Sequence, residues 1–169
     1  METYLHKLQG AIDFIRRLFE DQQISLDYSP QSIQHLDALF DSEFYKGELI
    51  NKSGTFAQYQ GLIMTGVSGY MAQVILRNTD HAKLIFEQDD ENWFINFSLE
   101  AGNGWKILPG HKVLKRAYNG DADQLYAFTV SAVSYLNSPE STNKPAVPFN
   151  YLMDGLLHVF GKQEKGMHN

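Results

Sequence analysis

A chain of 169 residues, 43% hydrophobic and 13% aromatic, has the length and apolar content of a single globular domain, so disorder of the whole chain is not expected. A formal charge of −6 and a pI near 5.4 disfavour nucleic-acid phosphates and anionic membrane surfaces as partners. The absence of cysteine rules out disulfides, thiolate catalysis and sulfur-ligated zinc.

From the N-terminus, Met1 to Lys7 lacks the basic and apolar regions of a secretory signal. Leu5, Leu8, Ile12, Ile15 and Phe19 recur at spacings of three and four, which predicts an amphipathic helix from Thr3 to about Asp21. Ile24 to Tyr28 reads as an extended link. Ser29-Pro30 then starts a second helix, with Ile33, Leu36, Leu39 and Phe40 on its stripe and an end near Lys46-Gly47. After a turn at Lys52-Ser53-Gly54, a third helix is expected from Thr55 to about Asn78. Gly61, Thr65, Ser68, Gly69 and Ala72 place small side chains along it, so it reads as the central packing element. The apolar run Gly61 to Leu76 is too short for a membrane span and contains Thr65, Ser68 and Gln73. A cytoplasmic protein is expected.

The middle of the chain changes period. Leu84 to Glu87, Trp93 to Leu99 and Trp105 to Leu108 read as three short strands, separated by Gln88 to Asn92 and by Gly102-Asn103-Gly104. Beyond Pro109, Val113, Leu114, Ala117 and Tyr118 predict a short helix capped by Asn119-Gly120. Another follows from Asp121 to about Leu136, with Leu125, Phe128, Ala132 and Tyr135 facing inward. Ser138 to Pro148 reads as an irregular loop, Phe149 to Phe160 as a last helix, and 161–169 as a flexible C-terminal tail. The expected fold is therefore α+β, one domain over 1–160 with helices packed on a small three-stranded antiparallel meander.

Catalytic and cofactor signatures are missing. Gly61 to Gly66 lacks the lysine–hydroxyl pair of a phosphate loop, and Gly66-Val67-Ser68-Gly69 is one residue short of a nucleophile elbow. The six histidines are scattered, and Asp80 to Glu91 fails as a calcium loop because Ile85 stands where glycine is needed. No catalytic residue, metal ligand or cofactor is assigned. The run Glu87, Asp89, Asp90, Glu91 reads first as a solvated turn, and as a docking surface for a basic protein face before a pair of catalytic carboxylates. The basic cluster Lys106, His111, Lys112, Lys115 and Arg116 offers an anion or acidic-partner site but reads first as a solvated helix face. On that face Lys112, Lys115 and Arg116 lie together, with Val113 and Ala117 pointing elsewhere. Arg77 is placed to pair with the acidic run or to stabilise its own helix end. Trp93 and Trp105 read as core residues opening strands.

Gly69-Tyr70-Met71-Ala72-Gln73-Val74-Ile75-Leu76-Arg77 followed by Trp93, and Pro109-Gly110-His111-Lys112-Val113-Leu114-Lys115-Arg116 followed by Asn119-Gly120, carry a resemblance. Residues 60–136 resemble uncharacterised bacterial proteins of a small α+β domain type. In those, a helix reading roughly G-x-Y-x-G-E-x-x-x-R precedes a tryptophan-bearing strand and a P-x-x-K-V-x-K-R segment. This chain has Ala72 and Gln73 where that pattern has glycine and glutamate. The resemblance implies the α+β fold and no assigned activity.

Three functions fit the sequence. The first is a non-enzymatic binding or protein-interaction domain, of an inhibitor or immunity type that masks a basic partner protein. A second is a small-ligand or anion-binding domain with a pocket between the central helix and the sheet, lined by Tyr70, Gln73, Arg77, Trp93, Lys112 and Arg116. The third is an enzyme whose site is assembled from distant residues. The sequence sets no oligomeric state.

Overall fold

The stripe read from the first helix does what its spacing demands: Leu8, Ile12, Ile15 and Phe19 are at most 5% exposed on α1 (Glu2–Glu20). Leu5 at its start stays outside the core, 45% exposed. Gln23, left-handed at φ 61°, closes this helix, with Ile24 N donating to Phe19 O at 2.9 Å. The computed structural model describes residues 2–45, 47–86, 92–102 and 104–138. The acidic run from Glu87 to Glu91, the loop from 139, the expected last helix Phe149 to Phe160 and the tail 161–169 lie outside the described residues.

Ser29 caps the turn it was expected to start, its hydroxyl accepting from Ser32 N at 3.3 Å at the head of a 3-10 turn, Pro30–Ser32. Helix α2 (Ile33–Glu43) follows and stops short of Lys46-Gly47. Phe44 turns extended to join an aromatic cluster, 5.6 Å from Phe40 and 5.0 Å from Phe56. A hairpin of β1 (Phe44–Tyr45) and β2 (Glu48–Leu49) forms instead, and Gly47 at φ 82° serves its turn rather than a helix cap.

The expected third helix is broken. Tyr59, at φ −121° and ψ 25°, separates α3 (Thr55–Gln58) from α4 (Gln60–Arg77), and its ring meets Phe14 of α1 at 5.4 Å. Helix α4 is the central element: Ile63, Thr65 to Ala72, Val74 and Ile75 are all buried. Its small residues let α1 lie close, since a Cβ at Gly66 would collide with the Ala11 carbonyl oxygen and Ile15 Cγ1.

Beside α4 stands the antiparallel meander β3–β4–β5, with β3 at Ala82–Ile85, β4 at Ser98–Ala101 and β5 at Lys106–Ile107. Leu99 pairs with Leu84 on one side and Ile107 on the other. The middle strand is shorter than its alternation suggested. Trp93–Asn96 is a single helical turn, α5, in which Asn92 O accepts from the backbone of Ile95 and Asn96 at 2.9 and 3.0 Å. Period-two patterning also fits a short helical turn when the chain has only four residues to show it.

Helix α6 (Pro109–Asn119) ends at Gly120, φ 59°, as the sequence suggests. A 3-10 turn, Gly120–Asp123, intervenes before α7 (Leu125–Leu136), which therefore starts later than Asp121. Leu125, Thr129, Ala132 and Leu136 face the core. The fold is α+β, and no helix among the described residues is long and apolar enough to cross a membrane.

Candidate functional site

On α2, Ile33, Leu36, Asp37 and Phe40 fall at i, i+3, i+4 and i+7, so a carboxylate occupies a core position. On α6, Val113, Arg116 and Ala117 fall at i, i+3 and i+4, so a guanidinium does the same. The two meet. Arg116, only 2% exposed, donates from Nε to Asp37 Oδ1 at 2.8 Å and from Nη2 to the Asp37 carbonyl at 3.2 Å. Its Nη2 also pairs with Asp41, and Asp121 Oδ1 lies 3.6 Å away. Burial pushes the guanidinium pKa down, but the bonds from Asp41 and Asp37 outweigh it and raise it above the ordinary value.

The expectation of a solvated basic face is thereby corrected for Arg116. It shares the inward stripe of Val113 and Ala117 rather than the outward side of α6. Lys112 is also engaged, bound to Asp123 at 2.7 Å and 5.2 Å from the Phe128 ring centroid. Burial pushes the Asp123 carboxyl up, but hydrogen bonds from Lys112 and Asn119 outweigh this and hold it below its ordinary value.

Asp37 has a second task. Its Oδ1 and Oδ2 accept from Leu125 N at 2.9 Å and Tyr126 N at 2.8 Å, so α2 supplies the cap that Gln124 does not provide for α7. Helices α2, α6 and α7 are thus tied at one point.

Above this knot opens a groove of about 590 Å³, walled by Phe40, Phe44 and Tyr45 on one side and by Ala117 to Asp121 on the other. The hairpin is drawn in close, because a Cβ at Gly47 would stand 3.3 Å from the Tyr118 carbonyl. Tyr45 and Tyr118, each 66% exposed, flank the groove. The Asp41 and Asp121 side chains are 55% and 82% exposed. Among the described residues, the charged lining of the groove is two carboxylates, Asp41 and Asp121, and one buried cation, Arg116, while Asp37 lies beneath, so the balance is negative.

A second cluster surrounds Tyr28. Its ring stacks on Tyr70 at 4.9 Å and carries the Arg77 guanidinium carbon 3.6 Å from its centroid, with that of Arg16 at 5.4 Å. The Tyr70 hydroxyl, wholly buried, accepts from Tyr28 N at 2.8 Å and shares a hydrogen bond with Ser32 Oγ at 2.7 Å. Burial raises the phenol pKa against these bonds.

The six residues read as a ligand lining therefore fall into separate neighbourhoods. Tyr70 and Arg77 meet at Tyr28, with half-buried Gln73 one turn before Arg77 on α4. Lys112 and Arg116 sit one turn apart on α6, bound to different carboxylates, and Trp93 opens α5. A separate apolar hollow of about 220 Å³ between α4, α5 and α6 contains Ser68, whose hydroxyl donates to the Met64 carbonyl at 2.7 Å. Among the described residues, no ionisable side chain lines that hollow. Among the described residues, no group of three histidine, aspartate or glutamate side chains is placed to hold a metal ion. The acidic groove went unread because its walls come from α2 and α6, far apart in sequence; the one local signal was Asp37 on an otherwise apolar stripe.

No protein-family model, curated protein or solved structure matches this chain.

Proposed function

We propose that the chain is a non-enzymatic protein-interaction domain that receives a basic segment of a partner protein in the groove between α2, the β1–β2 hairpin and the end of α6. The observation that carries this reading is the buried Arg116 outnumbered by Asp37, Asp41 and Asp121, with tyrosines 45 and 118 at the rim. Its Nε and Nη2 are already engaged by Asp37 and Asp41, and the carboxylates around it oppose an incoming anion. The exposed carboxylates and aromatic faces suit an arginine or lysine side chain, by ion pairing and cation–π stacking. A net charge of −6 adds long-range attraction for such a partner.

The test is an NMR titration of the full chain with a short peptide of alternating arginine and glycine. The reading expects shifts concentrated at residues 41–45 and 117–121, weakened by Asp121→Lys and by Tyr118→Ala. Shifts spread evenly over every acidic surface position, or unaffected by both substitutions, would refute it.

A further inference from the structure

Away from the groove, we propose a phosphoryl-binding ledge where Arg16 of α1 and Arg77 of α4 converge on the ring of Tyr28. Two guanidinium carbons lie 5.4 and 3.6 Å from one aromatic centroid. The electron-rich face of the ring and the C-terminal end of α4 hold these cations in place. Arg77 is exposed, and no carboxylate among the described residues comes within ion-pair distance of it. Arg16 reaches Glu20 only at 3.6 Å, and its Nε is buried with no hydrogen-bond partner. The Arg16 side chain as a whole is 36% exposed, so its charge is open to a ligand while one of its donors is left unsatisfied.

The platform is fixed in advance. Tyr28 holds a left-handed backbone at φ 64°, which a bulky residue adopts only when its surroundings compel it. Both backbone polar groups are tied: the nitrogen donates to Tyr70 Oη at 2.8 Å and the carbonyl accepts from Asn78 Nδ2 at 3.2 Å. Stacking occupies the flat face of a guanidinium and leaves its N–H edge for hydrogen bonds. Two of the carbonyls at the end of α4, which would repel an anion, are themselves engaged. Val74 O accepts from Asn78 Nδ2 at 2.7 Å and Ile75 O from Thr79 Oγ1 at 3.0 Å.

Attraction at a distance is not what selects the ligand. Glu20 stands beside Arg16, Asp27 precedes Tyr28, and the chain as a whole is negative. The ledge therefore favours a group that makes several directed hydrogen bonds. A carboxylate has two oxygens, both consumed by one fork. A phosphoryl group has three and can face two guanidiniums at once.

Full-length chain, labelled for detection of arginine Nε, is titrated with inorganic phosphate at constant ionic strength, with acetate as the parallel arm. Saturable shifts are expected at Arg16 Nε, Arg77 Nε and the Tyr28 amide with phosphate, and much weaker ones with acetate. Arg77→Gln and Arg16→Gln should each weaken phosphate binding by about tenfold or more, the worth of a hydrogen bond to a charged group. Arg77→Lys, which keeps the charge and loses the fork, should weaken it too. The unchanged spectrum of the core reports that each variant is folded. Absence of saturable shifts, equal response to acetate, or full affinity in Arg77→Lys would each overturn the assignment.

Discussion

Replacing Arg116 by methionine tests the knot beneath the groove. The side chain is 2% exposed and joins α6 to Asp37 and Asp41 of α2. Methionine fills much of the volume but leaves Asp37 as a buried carboxylate without its cation. Breaking one side of such a pair typically costs about 3–5 kcal/mol. Asp37 would keep its bonds from Leu125 N and Tyr126 N at the start of α7, where the helix dipole favours a negative charge, so the loss should fall near the lower end, about 3 kcal/mol. For a chain of this size, that corresponds to a fall in Tm of roughly 6–12 °C. Urea and thermal unfolding of the full chain, followed by circular dichroism, read the effect. Asp37→Asn should be comparably damaging, because an amide N–H₂ would then face a donor. The double variant should lose less than the two single losses added. A fall in Tm below about 2 °C for Arg116→Met would refute the claim that this pair holds α2, α6 and α7 together.

Other consequences are as direct. Gly66→Ala drives a Cβ into the Ala11 carbonyl and should destabilise by more than about 2 kcal/mol, whereas Gly61→Ala meets nothing within 4 Å and should stabilise α4 by up to about 1 kcal/mol. Paired urea titrations compare the two. The Asp123 carboxyl is held below its ordinary 3.8, so its contribution is present above that pH and is lost as pH falls through the lower, folded-state value. Lys112→Met should flatten that part of the acid-unfolding curve. Burial, with Lys115 nearby, pushes the His111 imidazole below its ordinary 6.5. The unfolded chain then binds the extra proton first, so stability should decline as pH falls from 6.5 toward the folded-state value. In His111→Gln, a pH series of unfolding curves should lose this slope.

The parts of the fold legible in the sequence were those written in local spacing. The stripe of α1, the small residues of α4, the Ser29-Pro30 start and the Asn119-Gly120 stop each depend on neighbours within a few positions. What escaped depends on distant residues. Asp37 and Arg116 are 79 positions apart, and the cap that Asp37 gives α7 spans 88. Read alone, Lys112, Lys115 and Arg116 form a basic cluster on α6. Only with α2 in place does Arg116 prove to be inside. The helical turn Trp93–Asn96 was hidden for another reason, because aromatic and β-branched residues favour strands and four residues are too few for the helical period to show. Tyr28 carried no signal at all; its backbone conformation is imposed by Tyr70 and Asn78, each more than 40 residues away.

Charge reversal puts the interaction reading to its hardest trial. Affinity of Asp121→Lys for an arginine–glycine peptide and for its aspartate–glycine counterpart, measured by calorimetry at low and moderate salt, should show the preference shifting from the basic peptide toward the acidic one. Identical affinity of native and reversed chains for the basic peptide at both salt levels would contradict the groove as the point of recognition.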